Sequence, residues 1–309
     1  MTSARHPLPT DIVALVSFDG RVYPNEAKPW DRMGLDARAR PLETALEQWF
    51  SFATGKHTWV RVRGATIHGL ISARRRAKRS AWEVEVLIDA DEDSGGVSSL
   101  FSRMVAGISK LGAERIFLRL DAGSHLVRAA REAGFFTYVE QTLYRREGSA
   151  PPQASSVPWR ARVKGDLFGV FQLYSHVVPA NVRAIEGATL REWQAALEPW
   201  GGRHSDLILE EDGVITGWSR FLPGHVGRFT LLAQSHSFTL DDLLLAAISR
   251  VGQSGCLLTL VPRHDPALAA SAERLGFSPA EDYVVLAKRL VKPVEALVPE
   301  AASTAVPVN

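Results

Sequence analysis

The sequence has a single cysteine, no long apolar run and no large excess of charge of either sign. One cysteine, Cys256, excludes an intramolecular disulfide and any multi-cysteine metal site. Its surroundings, GCLLTLV, predict a buried strand and hence a packed structural thiol rather than a nucleophile. No segment approaches the roughly 20 apolar residues of a membrane helix, and MTSARHPLPTDIVALVSFDG has no run typical of a signal peptide. We therefore expect a reduced, cytoplasmic protein that does not bind a membrane.

Charge and histidine spacing argue against two further kinds of partner. The net charge is +2, from 36 basic and 34 acidic side chains, which is not typical of a nucleic-acid binder. The nine histidines show neither HxH nor HxxxH spacing, so no metal site is predicted. The densest basic run, ARRRAKR at 73–79, lacks interleaved aromatic residues and is predicted to be a solvated hairpin tip.

The composition changes near the midpoint of the chain. GSAPPQASSVP, at 148–158, is rich in Pro, Ser and Ala and predicts a linker. It separates an N-terminal domain, 1–147, from a C-terminal domain, 159–290. The remainder, 291–309, has no helical or strand period and is predicted to be a flexible tail.

The two halves are related by a repeat. LVRAAREAGFFTYVEQTLYRR, from residue 126, aligns without gaps on LAASAERLGFSPAEDYVVLAKR, from residue 268, at an offset of 142. Gly134 meets Gly276, so both copies predict a short helix, a glycine C-cap and a strand.

Each half also shows the same order of predicted elements before this repeat. The first half begins with helical material (DIVALVSFDG and RPLETALEQWF), followed by the strands TWVRVRG, ATIHGLISARRRAK and AWEVEVLID, the helix VSSLFSRMVAGISKLG and the strand RIFLRL. The second half has DLFGVFQLYSHVVPANVRAIEG and TLREWQAALE, then SDLILEEDG, VITGWSRFLPG, VGRFTLLAQ, TLDDLLLAAISRVG and CLLTLV. Periodicity and turn residues thus predict an α+β fold in two halves of one plan.

This order resembles the GNAT N-acyltransferase superfamily. The resemblance is carried by WEVEVLIDADEDSGGVSSLFSRMVAGISKLGAERIFLRL and HLVRAAREAGF in the first half, and by CLLTLV and LAASAERLGF in the second. It implies two tandem GNAT-like domains, each a mixed, mostly antiparallel sheet flanked by helices. It also implies an acetyl-CoA or other acyl-CoA co-substrate, held where the fourth and fifth strands splay apart, and a small-molecule amine as acceptor.

In this family the CoA pyrophosphate lies on a turn of the form Gln/Arg-x-x-Gly-x-Gly/Ala. In DEDSGGVSSLF the turn corresponds to 93–98, where Gly96 matches and Asp93 places a carboxylate near the phosphate. The alternative is a strand-to-helix turn whose acids favour the helix N-terminus. In the second half the turn is 234–239, which keeps the glutamine and loses both glycines. The resemblance implies cofactor contacts at Leu87, Ile88, Asp89, Ser94, Gly95, Gly96, Val97, Ser98 and Ser99.

Two acids on AWEVEVLID, the strand that leads into the glycine turn, are the predicted proton acceptors. Glu83 and Glu85 alternate with apolar residues, so both point to one face of the sheet. The alternative is that they are solvated or pair with 74–76 across the hairpin. The family's frequent general acid, a tyrosine four residues before the glycine of the GF pair, is replaced by Ala130 in the first half and Ala272 in the second.

Two functions remain open at this point. One is an acyl-CoA-dependent N-acyltransferase with its site in the N-terminal half, where a bound amine attacks the thioester directly. The other is a catalytically inactive GNAT-like protein that binds a small molecule or a protein partner.

Overall fold

Twelve strands and eight α-helices lie in the part of the chain that the computed structural model describes, which is residues 2–19, 23–34, 42–44, 46, 55–78, 80–91, 94–148, 157–251 and 254–290. The strands are β1 (Thr2–Arg5), β2 (Lys56–Arg63), β3 (Thr66–Arg75), β4 (Ala81–Asp89), β5 (Arg115–Asp121), β6 (Phe136–Glu147), β7 (Arg160–Ala161), β8 (Ser205–Glu211), β9 (Val214–Leu222), β10 (Val226–Ala233), β11 (Cys256–Pro262) and β12 (Ser278–Arg289). The helices are α1 (Ile12–Asp19), α2 (Ser94–Ser109), α3 (Leu126–Glu132), α4 (Leu167–Val177), α5 (Ala180–Glu186), α6 (Leu190–Ala196), α7 (Leu240–Val251) and α8 (Pro266–Arg274).

All twelve strands belong to one sheet, in the order β1-β2-β3-β4-β5-β12-β6-β11-β10-β9-β8-β7. The last strand of each half pairs with the other half: β12 lies antiparallel to β5, and β6 lies antiparallel to β11. At the centre β6 pairs with β12, where Thr142 faces Asp282 and Glu140 faces Val284. The repeat offset of 142 relates these two pairs, because Glu140 corresponds to Asp282 and Thr142 corresponds to Val284. The two halves therefore exchange their final strands about an approximate twofold axis.

The predicted element order is confirmed in the described part of the chain, with two differences. The helix predicted over DLFGVFQLYSHVVPANVRAIEG is two helices, because Pro179 cannot donate an intrahelical hydrogen bond and ends α4. The edge strands β1 and β7 were not predicted. RPLETALEQWF lies outside the described residues except for 42–44 and 46, which are helical, and the predicted tail at 291–309 lies wholly outside them.

The two predicted glycine C-caps have the backbone that the repeat requires. Gly134 and Gly276 have φ of +85° and +82°, a left-handed conformation that glycine adopts without strain. The short helices that they end pack into separate cores, one under α2 and one under α7. Ala130 and Ala272 lie fully buried in these cores, so a tyrosine at either position would overpack the core.

Helices lie on both faces of the sheet. The pairs α2–α3 and α7–α8 cover one face, and α6 packs over β4, β5 and β12 on the other, with Ala195 and Ala196 against Phe117. None of the described helices is long and apolar enough to cross a membrane.

Two gaps open in this sheet. The parallel pair β4–β5 is joined only from Ala81 to Glu83 and then separates. The parallel pair β10–β11 is joined only from Val226 to Phe229 and then separates in the same way. These two gaps are the positions at which the family resemblance places an acyl-CoA.

The strand exchange predicts that the first half does not fold alone. A fragment ending at residue 158 lacks β11 and β12, so β6 loses both of its neighbours and β5 loses one. We expect circular dichroism and size-exclusion chromatography to show an unfolded or aggregated fragment.

Two further samples complete this test. Co-expression of 1–158 with 159–309 should restore the fold, and so should the full chain cleaved within 149–156, because neither change removes a described strand. A monomeric 1–158 fragment with a cooperative melting transition would contradict the expectation.

Candidate functional site

The first gap begins at a β-bulge. Val84 faces Ala73 and Val86 faces Ser72, so Glu85 has no partner residue on β3. After the bulge, the backbone groups of Val86, Ile88 and Ala90 point towards β3. The hydrogen bond from the Ala90 N–H to the His68 carbonyl shows this alternation. The backbone groups between them therefore face the gap.

A segment of the protein itself fills this gap. We call residues 24–28 the strap. The Asn25 side chain donates to the Glu85 carbonyl at 2.9 Å and accepts from the Leu87 N–H at 2.9 Å. The Glu26 N–H donates to the Leu87 carbonyl at 2.9 Å, and the strap's last N–H donates to a carbonyl of β5 at 3.0 Å. The backbone groups that would bind a pantetheine arm are thus already paired.

An arginine occupies the N-terminus of α2, where a phosphate would lie. The Arg61 guanidinium touches Gly96 so closely that a Cβ there would overlap it. Its Nη2 lies 3.2 Å from an oxygen of Asp89 and 3.0 Å from one of Asp91. A cation at a helix N-terminus is unfavourable by itself, so the two carboxylates offset its charge. Burial raises the pKa of Asp89, and Arg61 opposes that rise.

The predicted phosphate turn is largely helical. Asp93 lies outside the described residues, and α2 begins at Ser94. The N–H groups left unpaired by the helix are therefore those of 94–97, which include Gly95, whereas those of Ser98 and Ser99 bond within the helix. The latter two residues cannot offer amides to a phosphate.

Two other predicted cofactor contacts belong to the hydrophobic core. Ile88 packs towards α1 and Val97, a residue of α2, packs into the core beneath that helix, and both are fully buried. The structure therefore does not gather the predicted cofactor contacts around an open slot.

The two predicted catalytic acids lie in a buried ionic network. Glu83 binds Arg74 at 2.6 Å and Arg76 at 3.1 Å. Glu85 lies 3.3 Å from Lys56 and 3.5 Å from Arg74. Burial raises the pKa of Glu83, although both arginines oppose this. The prediction of a solvated tip is wrong for Arg74 and Arg76, because they neutralise these acids inside the protein.

The second gap is open. The Gln234 N–H donates to the Thr216 carbonyl at 2.7 Å, so alternate residues of β10 bond to β9 and the backbone of Leu231 and Ala233 faces β11. Within the described ranges, no hydrogen bond crosses the gap to either residue. A cavity of about 210 Å³ opens here, walled in part by Trp193 and Trp218.

Charged groups from both halves line this cavity. Arg119 on β5 lies 2.5 Å from an oxygen of Glu198, and Arg76 lies 3.3 Å from the same oxygen. Burial disfavours the ionised form of Glu198, yet the two arginines outweigh it and lower its pKa. Arg220 on β9 also lines the cavity. The first half therefore completes a site that lies over the second half's gap.

A second carboxylate in the cavity has a pKa that is shifted in the opposite direction. Glu186, at the end of α5, accepts hydrogen bonds from the Tyr174 hydroxyl at 2.9 Å and the Tyr138 hydroxyl at 3.2 Å. Burial raises the pKa of Glu186, and these hydrogen bonds only partly oppose the rise. Burial and the nearby carboxylate also raise the pKa of Tyr174. Arg115 fixes the segment by donating to the Glu186 carbonyl at 2.7 Å.

The turn before α7 holds a carboxylate of the protein. Glu211 accepts hydrogen bonds from the Ser237 N–H at 3.0 Å and the Ser235 hydroxyl at 3.1 Å, and another from the Thr216 hydroxyl. Burial acts to raise the pKa of Glu211, but these hydrogen bonds outweigh it and lower the pKa to about 2. The turn therefore binds an anion, and in this structure the anion is Glu211.

Comparisons with known proteins bear on the fold. No family model matches the sequence, and no curated protein matches it. A GCN5-related N-acetyltransferase from Sphaerobacter thermophilus is 15% identical with a TM-score of 0.53, covering 94% of this chain and 96% of that one. The N-myristoyltransferase of Saccharomyces cerevisiae, solved with bound myristoyl-CoA, is 12% identical with a TM-score of 0.51, covering 93% and 78%. The chain has the GNAT fold. At such low identity the likeness concerns the fold alone.

The two GNAT-like gaps differ in their fit to an acyl-CoA. In the first gap the strap takes up the Glu85 carbonyl and the Leu87 N–H and carbonyl, so these groups are not open to a pantetheine arm. In the second gap, within the described part of the chain, no hydrogen bond takes up the backbone of Leu231 and Ala233, which could hold that arm. Its phosphate turn can take a pyrophosphate only if the Glu211 carboxylate withdraws.

Sequence reasoning missed the cavity's carboxylates. Glu192, in the predicted helix TLREWQAALE, is the capping-box partner of Thr189. Glu186, six residues earlier, instead has hydrogen-bond partners on α4 and β6. No local pattern marks Glu186, because its burial depends on elements far apart in the sequence.

The strap predicts a specific sensitivity to one side chain. Replacing Asn25 by Ala leaves a buried carbonyl and two buried N–H groups without partners. We expect the free energy of unfolding to fall by about 2–4 kcal/mol. Glu26→Ala is the control, because it keeps the backbone N–H of the strap and should cost less than about 0.5 kcal/mol. Equal denaturant midpoints for the two variants would contradict this account.

The Glu211 contacts predict a pH-dependent stability. The pKa is lowered in the folded state, so the stabilisation is fully present above the unfolded value of about 4.3 and is lost as the pH falls towards 2. Urea unfolding should show Glu211→Gln to be about 1 kcal/mol less stable than the wild type at pH 7, with the difference vanishing near pH 2. Asp212→Asn, at an exposed neighbouring carboxylate, should not change stability. A pH-independent difference for Glu211→Gln would contradict the assignment.

Proposed function

We propose that the chain is an acyl-CoA-dependent N-acyltransferase whose reaction site is the cavity at the second gap. The observation that carries this proposal is Glu186: a carboxylate with a raised pKa, oriented by two tyrosines, in a cavity at the gap where a GNAT fold would present its acyl group. This moves the predicted site from the first half to the second. The filled first gap supports the move.

The residues of the cavity can perform the proton chemistry of amide formation. Acyl-CoA would supply the acyl group, and CoA would leave as the free thiol. Glu186, once ionised, takes a proton from the acceptor amine, which must be neutral to react. The Tyr174 hydroxyl bonds to Glu186 and also lines the cavity, so it can relay that proton onward. The Tyr138 hydroxyl holds the other oxygen of Glu186 and so orients the carboxylate.

Glu198 has a separate role in this proposal. Its lowered pKa keeps it ionised, and it is bound on one side by Arg76 and Arg119. A carboxylate so tightly paired is a poor proton acceptor. It instead holds the two guanidinium groups at the cavity wall.

A second candidate function is supported by a separate observation. Glu211 occupies the phosphate turn of the second half, and Arg61 with its two aspartates occupies that of the first. If neither withdraws, the chain binds a small molecule in the cavity without any acyl transfer. The two functions differ in whether the intact protein binds and consumes acetyl-CoA.

The enzyme proposal predicts a large loss of turnover on removing the base. Thiol release from acetyl-CoA is followed with a panel of small primary amines. Glu186→Gln should lower kcat by about 10²–10⁴-fold, because general-base catalysis contributes that much. In the wild type the rate should rise with pH through a pKa above the ordinary carboxyl range, and this limb should disappear in the variant.

The matched control is Glu192→Gln, six residues away. A glutamine keeps the capping box, so this variant should change kcat by less than about twofold. No acetyl-CoA binding to the wild type by calorimetry, at concentrations near 1 mM, would overturn the enzyme proposal and favour the second candidate.

A further inference from the structure

One guanidinium in the cavity has spare hydrogen-bond donors. The Arg220 side chain is 11% exposed and lies between the rings of Trp200 and Trp218, 4.8 and 5.6 Å from their centroids. Its Nε donates to Asp206 at 3.1 Å. Its Nη1 and Nη2 atoms carry four N–H groups, yet their contacts in the described part of the chain are two weak ones at 3.5 Å.

The other cavity cations differ from Arg220 in this respect. Arg119 donates to Glu198, to Gln141 and to a backbone carbonyl. Arg76 donates to Glu83, to Glu198 and to a backbone carbonyl. A buried guanidinium is stable when its donors are paired, so Arg220 is the group whose pairing a ligand would complete.

The side chains that line the cavity include more cations than anions. They are three arginines and two glutamates, Arg76, Arg119, Arg220, Glu186 and Glu198, with a formal balance of +1. Glu83 and Asp206 pair with Arg76 and Arg220 from outside this lining. A planar guanidinium whose Nη atoms make only weak contacts, at 3.5 Å, matches a carboxylate in a two-point contact.

We propose that the ligand of this cavity is a small amine bearing a carboxylate, of the amino-acid class, whose carboxylate binds the Nη groups of Arg220. The same cavity holds Glu186, so the amine can lie towards the proton acceptor while the carboxylate lies towards Arg220. About 210 Å³ is small for a ligand site, which favours a single amino acid over a peptide or a large amine. Calling this ligand the acceptor rests on the proposed function, but its binding does not.

The test measures binding without any acyl-CoA. L-Alanine, L-serine, L-threonine and L-leucine are each titrated by calorimetry against the matching primary amide, which keeps the amine and removes the carboxylate charge. We expect at least one acid to bind the wild type about tenfold or more tightly than its amide. Arg220→Gln should abolish this preference.

Arg162→Gln is the matched control. Arg162 binds the same Asp206 carboxylate, at 2.9 Å, but does not line the cavity, so the preference for the acid should persist. If circular dichroism shows that Arg220→Gln does not fold, Arg220→Lys replaces it. Lysine keeps the charge but loses the planar fork, and the acid preference should fall about fivefold.

Four results would overturn the inference. They are equal binding of acids and amides, an acid preference that survives in the folded Arg220 variant, tighter binding of O-phosphoethanolamine than of every amino acid, and no binding of any acid at about 10 mM. Acid-selective binding without turnover of acetyl-CoA would leave this inference standing and overturn only the proposed function. Turnover of amines that lack a carboxylate, with no acid-selective binding, would do the reverse.

Discussion

The antiparallel pairing of β6 with β12 is the contact on which the arrangement of this molecule depends. It fuses the two halves into one sheet and places the last strand of each half inside the other. As a consequence, β6 of the first half pairs with β11, which borders the gap of the second half. Arg119 on β5 and Gln141 on β6 reach the cavity from the first half, whereas Glu198 and Arg220 reach it from the second. The cavity is therefore a product of the exchange and belongs to neither half alone.

The two gaps show how one backbone constraint can be met in two ways. Where two parallel strands separate, their polar groups lose their partners and need others. In the first half the strap supplies them, and Asn25 imitates a strand by offering both a donor and an acceptor. In the second half the corresponding groups, at Leu231 and Ala233, are left to face an open space. The protein thus fills one of its two gaps with its own chain, and the ligand site is placed at the other.

Local patterns were sufficient to predict most of the elements, though not the edge strands β1 and β7, and they did not predict how the elements assemble. The repeat predicted two copies of each helix and strand, because Gly134, Gly276 and the alternating apolar residues act over a few positions. The strand exchange could not be predicted, since the local pattern of β6 and of β12 predicts a strand but does not decide whether that strand pairs within its own half or with the other. The interpretation of Arg74 and Arg76 as solvated failed for a related reason. Arg76 is buried against Ala196 and Glu198, at least 120 residues away, and Arg74 pairs with Asp31, 43 residues away.

The two cavity carboxylates illustrate how position decides chemistry. Glu186 and Glu198 are both partly buried at the same cavity, and burial alone would raise both pKa values. Arg76 and Arg119 lower the pKa of Glu198 by more than burial raises it. The hydrogen bonds from the two tyrosine hydroxyls beside Glu186 lower its pKa by less than burial raises it. Environments that shift the pKa values of two acids in opposite directions make one acid a proton acceptor and keep the other as a fixed charge. Because both arginines come from the first half and both acids from the second, this division of roles exists only in the assembled chain.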